Sequence, residues 1–227
     1  MVMTNRVLLI IPAYNEEECI EQVVESVVKA GYDYVVVNDG STDHTAEICR
    51  RNRYRFIDLP VNLGLAGAFQ AGIKYARSKG YTCAVQFDAD GQHRVEYVDA
   101  LARELDTCDI AIGSRFVKED KPHSLRMFGS NLISFMIRLT TGVKLNDPTS
   151  GMRAYGPRAI EHLAVGPNLG PEPDTLAYLM KKKGFVVSEQ QVKMDERIAG
   201  ESYLNLRRSA AYMTRMALSV LVVQFFR

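Results

Sequence analysis

The sequence predicts one α/β domain, a mostly parallel, Rossmann-like central sheet with helices on both faces, followed by a C-terminal amphipathic helix. Short β-branched runs alternate with helix-period segments through the first two-thirds of the 227 residues. Such alternation needs crossover connections and hence parallel strands. Successive strand runs end in polar, turn-forming segments, at the edge where open parallel sheets bind ligands. The length suits a single domain with a sizeable core, and no low-complexity linker or internal repeat divides it.

Val7–Ile11 is a run of β-branched and leucine residues and reads as a buried strand. Glu16–Lys29 reads as a helix, with Ile20, Val23, Val24, Val27 and Val28 at helical spacing. Tyr34–Val37 is a second strand, and Asp43–Arg51 a second helix with Ser41 or Thr42 as N-cap. Arg55–Leu59 is a short strand, and Leu65–Lys79 a helix whose start Asn62 and Gly64 shape. Thr82–Phe87 is an apolar strand, Val95–Leu105 a helix and Asp109–Ile112 a further strand.

After Gly113 the rhythm breaks. Lys118–His123 is a polar loop, Leu125–Thr140 an amphipathic helix, Asn146–Gly151 a turn and Met152–Tyr155 a short strand. Pro157–Leu163 and Leu176–Lys183 read as helices, Phe185–Val192 as a strand and Asp195–Tyr203 as a polar flap. Met216–Phe226 is nearly all apolar and follows Arg207, Arg208 and Arg215. Eleven residues are too few to cross a bilayer, which takes about 20. Two readings stay open for a Leu206–Phe226 helix: packing on the domain, or lying on a membrane surface or a small membrane protein.

Composition excludes several classes. A net charge of +1 argues against a nucleic-acid binder with a basic surface. Cys19, Cys49, Cys83 and Cys108 form no CxxC pair, so they read as small apolar residues in a reducing compartment and no structural zinc site is expected. Met1–Arg6 is short and polar and the apolar run behind it is brief, so no signal peptide is read and the expected location is cytoplasmic.

The chemistry concentrates at the strand ends. Asp88-Ala89-Asp90, stopped by Gly91 and followed by Gln92 and His93, brings two carboxylates to one edge. Mg²⁺ or Mn²⁺ takes oxygen ligands and leaves positions for substrate phosphates, so such a pair suits a metal-bound diphosphate. The other ends read Pro12-Ala13-Tyr14-Asn15-Glu16, Asn38-Asp39-Gly40-Ser41-Thr42-Asp43 and Gly113-Ser114-Arg115. Alone, Asp39 is equally well a turn-forming Asp before Gly, and Arg126 a solvated helix residue.

The motifs PAYNE (12–16), VVNDGSTD (36–43), NLGLAGA (62–68), FDADGQH (87–93), GSR (113–115) and DPTSGMRAY (147–155) together resemble the family-2 inverting glycosyltransferases of the GT-A fold. The resemblance is to the branch of dolichol-phosphate mannosyltransferase and the bacterial polyprenyl-phosphate glycosyltransferases. It spans about two-thirds of the chain in the family's order and thins beyond Tyr155. It implies a GT-A domain over residues 1–203, with 1–115 binding the nucleotide-sugar and 116–203 the acceptor, and a separate helix over 204–227. Pro12, Tyr14, Glu16 and Asp39 would then hold the nucleoside, and Asp88, Ala89, Asp90 and Gln92 the metal and diphosphate. Arg197 would close over the diphosphate. Arg115, Arg126 and Ser130 would grip the phosphate of a lipid acceptor, and Asp147 would meet donor hydroxyls or pair with an arginine.

The resemblance thus implies Mg²⁺- or Mn²⁺-dependent transfer from a nucleoside-diphosphate sugar to undecaprenyl or dolichyl phosphate, for cell-surface glycan assembly at the cytoplasmic face of the membrane. A guanidinium pair suits a phosphate. A saccharide hydroxyl acceptor, the main alternative, would need a general base, for which Asp147, Glu172 and Asp174 are the candidates. A non-catalytic sugar-nucleotide binder would keep Glu16 and Asp39 without needing both arginines. A dehydrogenase is excluded because no G-x-G-x-x-G follows the first strand. An EF-hand fails because Gly91 falls at position four and Asp99 at twelve. A nucleotidyltransferase would open with a Gly- and basic-rich loop rather than PAYNE. Sugar, base and oligomeric state, a homo-oligomer included, are left open.

Overall fold

Strand β1 (Val7–Ala13) runs along the middle of the sheet with its four central residues, Leu8–Ile11, fully buried. A computed structural model of the protein describes residues 6–119, 125–197 and 206–226; the side chains of 125–126, 206–211 and 223–226 lie outside that description. Parallel to β1 lie β2 (Asp33–Asn38) and β4 (Cys83–Gln86), and β3 (Phe56–Asp58) pairs parallel with β2. β5 (Ile110–Ser114) pairs parallel with β7 (Val187–Gln191). β6 (Arg153–Tyr155) joins the two halves by pairing antiparallel with both β4 and β5. The order among the described residues is β3-β2-β1-β4-β6-β5-β7, the mostly parallel sheet that the alternation predicts.

Helices cover both faces. α1 (Ile20–Lys29), α2 (Thr45–Arg51) and α4 (Val98–Glu104, behind a 3₁₀ turn at Val95–Tyr97) close one core around Leu9, Ile11 and Val85. The other core takes α3 (Gly64–Ser78), α5 (Leu125–Thr141), α6 (Pro157–Val165) and α7 (Pro173–Lys183) against Leu8, Ile10 and Ile112. α8 (Leu206–Phe226) joins this second layer. Its Met213, Met216, Ala217 and Val220 are buried, and it packs on α5 and α7. The Tyr212 hydroxyl donates to the Glu172 carboxylate, and Ser219 Oγ donates to Asp174 Oδ2 at 2.6 Å. Among its described side chains these four apolar residues are therefore covered by protein, while Leu218 and Val222 are exposed.

Several boundaries differ from the sequence reading. α1 begins at Ile20 and α2 at Thr45 rather than at Glu16 and Asp43, and neither Ser41 nor Thr42 caps α2. α7 begins earlier, with Pro173 in its first turn, where a missing N–H costs nothing. Residues 120–123 of the polar loop and 198–203 of the predicted flap lie outside the described residues.

Candidate active site

The carboxyl ends of β1, β2 and β4 sit side by side, with Ala13 beside Asn38 and Ile10 beside Gln86. The loops leaving β1 and β2 interlock through side chains. Ser41 Oγ accepts the Asn15 N–H at 3.0 Å, Asn15 Oδ1 the Thr42 N–H at 2.8 Å, and Thr45 Oγ1 the Glu16 N–H at 2.9 Å. Asp39, 3% exposed, uses Oδ1 to accept the Leu63 N–H at 2.7 Å, which ties β2 to the start of α3. Gly40 next to it has φ +64°, and a Cβ there would stand 2.6 Å from the backbone of Val61, so only glycine lets the two loops meet.

Pro12, Tyr14, Glu16, Asp39, Asp88, Ala89, Asp90 and Arg197 all line one cavity of about 230 Å³, which Ala13, Leu65 and Ala68 complete. Asp88 Oδ1 accepts from Gln86 Nε2 at 3.0 Å. The Asp88 N–H donates to His93 Nδ1 at 2.9 Å. That bond leaves the His93 proton on Nε2, 3.6 Å from Asp88 Oδ2. Gly151 lies directly against this carboxylate; a Cβ on it would stand 2.5 Å from Asp88 Oδ2. Asp90 accepts the Gln92 N–H on Oδ1 at 3.0 Å and Arg197 Nη2 on Oδ2 at 3.0 Å. Arg197 is delivered by an anchored segment: Arg94 Nε bonds Asp195 Oδ2 at 2.9 Å, and the Asp195 N–H reaches Gln92 O at 2.9 Å. The side-chain amide of Gln92 turns to Asp195 O at 3.4 Å, and Gln92 is not among the residues lining the cavity.

Burial, reinforced by the Asp90 and Asp88 charges and opposed by Arg197, pushes the Glu16 carboxyl up to about 7. Negative charge has accumulated here beyond what one guanidinium offsets. Among the described residues no group of three or more His, Cys, Asp and Glu side chains could hold a metal ion alone. The candidate donors are instead the Asp88 and Asp90 pair. A carboxylate has about four acceptor positions, so each retains capacity beyond its present bonds. Two such oxygen donors fit Mg²⁺ or Mn²⁺, which complete their shells with phosphate oxygens and water.

A second cluster forms at the end of β5. Asp147, fully buried, receives Arg115 Nε at 2.7 Å and Nη2 at 3.0 Å in a two-pronged ion pair, so of the two predicted readings it pairs with an arginine. Glu189 of β7 accepts the N–H groups of Asn146 and Asp147 at 2.7 and 2.6 Å and so sets the turn. Arg153, 1% exposed, donates to Pro148 O and Ser150 O at 2.7 and 2.9 Å from below. Burying a guanidinium costs several kcal/mol unless its N–H groups find acceptors, and here they brace this turn. Ser130 is buried on α5. Arg126 stands in the first turn of α5, and its side chain lies outside the described residues. Sequence reasoning missed Gln86, His93's role, Glu189 and Arg153. The last is concealed in a strand pattern where a charged residue reads as solvent-facing.

A GT-A-type sheet with its acidic cluster at the strand ends defines a class, and comparison with known proteins names it. Residues 8–164 match Glycosyl transferase family 2, and the chain belongs to that family. It is a glycosyltransferase. A polyprenol monophosphomannose synthase of Mycolicibacterium smegmatis is 31% identical over 222 residues, 89% of this chain and 82% of that protein. A UDP-N-acetylglucosamine:dolichyl-phosphate N-acetylglucosaminyltransferase of Methanococcus voltae is 34% identical over 181 residues, 70% and 72% of the two chains. Among solved structures, glucosyl-3-phosphoglycerate synthase from Mycobacterium tuberculosis, in complex with Mn²⁺, UDP and phosphoglyceric acid, shares the fold. Its TM-score is 0.67 at 18% identity, over 97% of this chain and 78% of that one.

Proposed function

We propose that the protein transfers one sugar from a nucleoside diphosphate to a polyprenyl phosphate with inversion at the anomeric carbon, in cell-surface glycan assembly. The observation that carries this choice of acceptor is the state of the carboxylates that a hydroxyl acceptor would need as base. Asp147 is fully buried and paired with Arg115, Glu172 and Asp174 hold α8 through Tyr212 and Ser219, and none of the three lines the cavity of Asp88 and Asp90. A phosphate monoester needs no base. Its oxygen is already anionic and attacks the anomeric carbon directly; the new C–O bond forms as the bond to the diphosphate breaks, and that electron pair leaves with the nucleotide. The lipid phosphates in the names of the two relatives support the same acceptor.

In this reading Glu16 and Asp39 hold the nucleoside, with Pro12 and Tyr14 as its walls. Asp88 and Asp90 hold Mg²⁺ or Mn²⁺, with Ala89 and Arg197 beside the diphosphate; Gln92 fixes the Asp90 turn. A divalent cation bound there supplies neutralisation of charge on the departing diphosphate. Arg115, oriented by Asp147, takes the acceptor phosphate with Arg126 and Ser130. The lipid acceptor places the protein at the cytoplasmic membrane face as a peripheral protein. Among the described residues no helix is long and apolar enough to cross a membrane.

Radiolabelled-sugar transfer to undecaprenyl phosphate, run beside oligosaccharide acceptors with a panel of sugar nucleotides, tests the proposal. Product on the lipid alone is expected, and product on saccharide alone would overturn it. Arg115→Lys keeps a cation beside buried Asp147 but loses the two-pronged geometry. It should cut lipid transfer about a hundredfold with nucleotide affinity unchanged.

A further inference from the structure

α5 carries Ser130 toward the interior, and its opposite face is apolar and bare. Phe128, Leu132, Phe135 and Leu139 recur at i, i+4, i+7 and i+11, which sets them in one stripe along the helix. Phe128 is 71%, Phe135 58% and Leu139 65% exposed, whereas Met127, Ser130, Ile133 and Ile137 are buried. Single exposed apolar residues are ordinary on a protein surface; a row of large ones on one helix marks an interaction surface. Beyond the end of α5 Val143 is exposed, and the neighbouring α8 exposes Leu218 and Val222. Beside the stripe a cavity of about 360 Å³ opens between α5 and the loop after β5, with Phe116, Asn131 and Phe135 in its wall. Its charged lining is Arg138 and Lys144 against Glu119.

We propose that this face of α5 seats the protein on an anionic lipid bilayer, with Phe128, Phe135 and Leu139 at the headgroup boundary and Arg138 and Lys144 against lipid phosphates. An apolar helical face flanked by basic residues is the pattern of surface-lying helices. Two basic groups beside one acidic group complement an anionic surface. A further argument rests on the polyprenyl-phosphate reading: the helix that bears the stripe also bears Ser130 on its inner face, so seating it holds the acceptor site within about one helix diameter of the headgroups. α8 contributes through Leu218 and Val222, since Met213, Met216, Ala217 and Val220 are spent in the core.

Co-sedimentation of the full chain with vesicles of phosphatidylcholine and phosphatidylglycerol tests this. The wild type should pellet with them and release in about 0.5 M salt. The triple variant F128S/F135S/L139S should lose at least about tenfold in apparent affinity, and R138E/K144E should lose affinity for the phosphatidylglycerol vesicles. Unchanged circular-dichroism melts would show that both variants fold. Vesicle binding equal to wild type in the triple variant would overturn the proposal. So would a wild-type dimer in lipid-free sedimentation velocity that the triple variant abolishes, since the stripe would then face a second copy. Transfer to a short-chain, water-soluble polyprenyl phosphate separates the two readings. The triple variant should retain that activity; its absence in the wild type would overturn the acceptor assignment and leave the vesicle result standing.

Discussion

Asp88 keeps its position through three neighbours that the sequence does not advertise together: Gln86 on one oxygen, His93 behind the backbone and Gly151 against the other oxygen. Gly151→Ala would place a methyl 2.5 Å from Asp88 Oδ2, so the carboxylate must move. Displacing a reacting group by about 1 Å costs about a hundredfold in rate. Sugar transfer should fall by that order while the thermal midpoint changes little; unchanged turnover would show that Asp88 tolerates displacement. Glu16 gives a pH signature in the metal-free protein. It titrates near 4.5 when exposed and about 7 in the fold. Below 4.5 both states hold the proton, and between the two values the unfolded chain ionises first, so stability falls as pH rises and the loss is complete above about 7. Glu16→Gln should therefore melt higher than wild type at about pH 8 and equally at about pH 4. Each kcal/mol corresponds to about 2–4 °C at this chain length. A gap that persists at acid pH would contradict the burial account. Asp88, Asp90 and Arg115 are legible as chemistry because they stand at strand ends in turn-forming runs. Glu189 is not, because it bonds a turn more than forty residues away in sequence, and Arg153 is not, because a charged residue in a strand run reads as solvent-facing.

At the scale of elements, the strands were legible because β-branched runs with turn residues at both ends leave little alternative. The starts of α1 and α2 were not. Glu16 and Glu17 look like first-turn helical acids, yet their N–H groups are claimed by Thr45 Oγ1 and Asp43 Oδ2 across the two loops. The first N–H groups of a helix lack intrahelical acceptors, and these bonds between loops fix residues 16–19 ahead of α1, four residues beyond the expected start, with Glu16 in the site wall. α8 is held by a different device, two hydroxyls on carboxylates at the start of α7. Tyr212→Phe and Ser219→Ala should each cost about 1–2 kcal/mol in urea denaturation. The two sites lie about 10 Å apart along the helix, so their effects should add. Two silent substitutions would contradict the docking of α8 on α7.

At the scale of the whole molecule, two cores grip one sheet, and the carboxyl edge between them collects the acidic loops of β1, β2 and β4. That arrangement was legible because the motifs keep their order along the chain and each follows a strand. The bare stripe of α5 was not, since that helix carries apolar residues on both faces and periodicity cannot say which face is covered. In the proposed reaction Asp88 and Asp90 would hold a divalent cation that neutralises charge on the leaving diphosphate. Transfer of radiolabelled sugar to undecaprenyl phosphate, measured in chelator and again after restoring Mn²⁺, tests it most directly. Transfer should stop and then return, and Asp90→Asn should not recover; undiminished transfer in chelator would contradict the assignment.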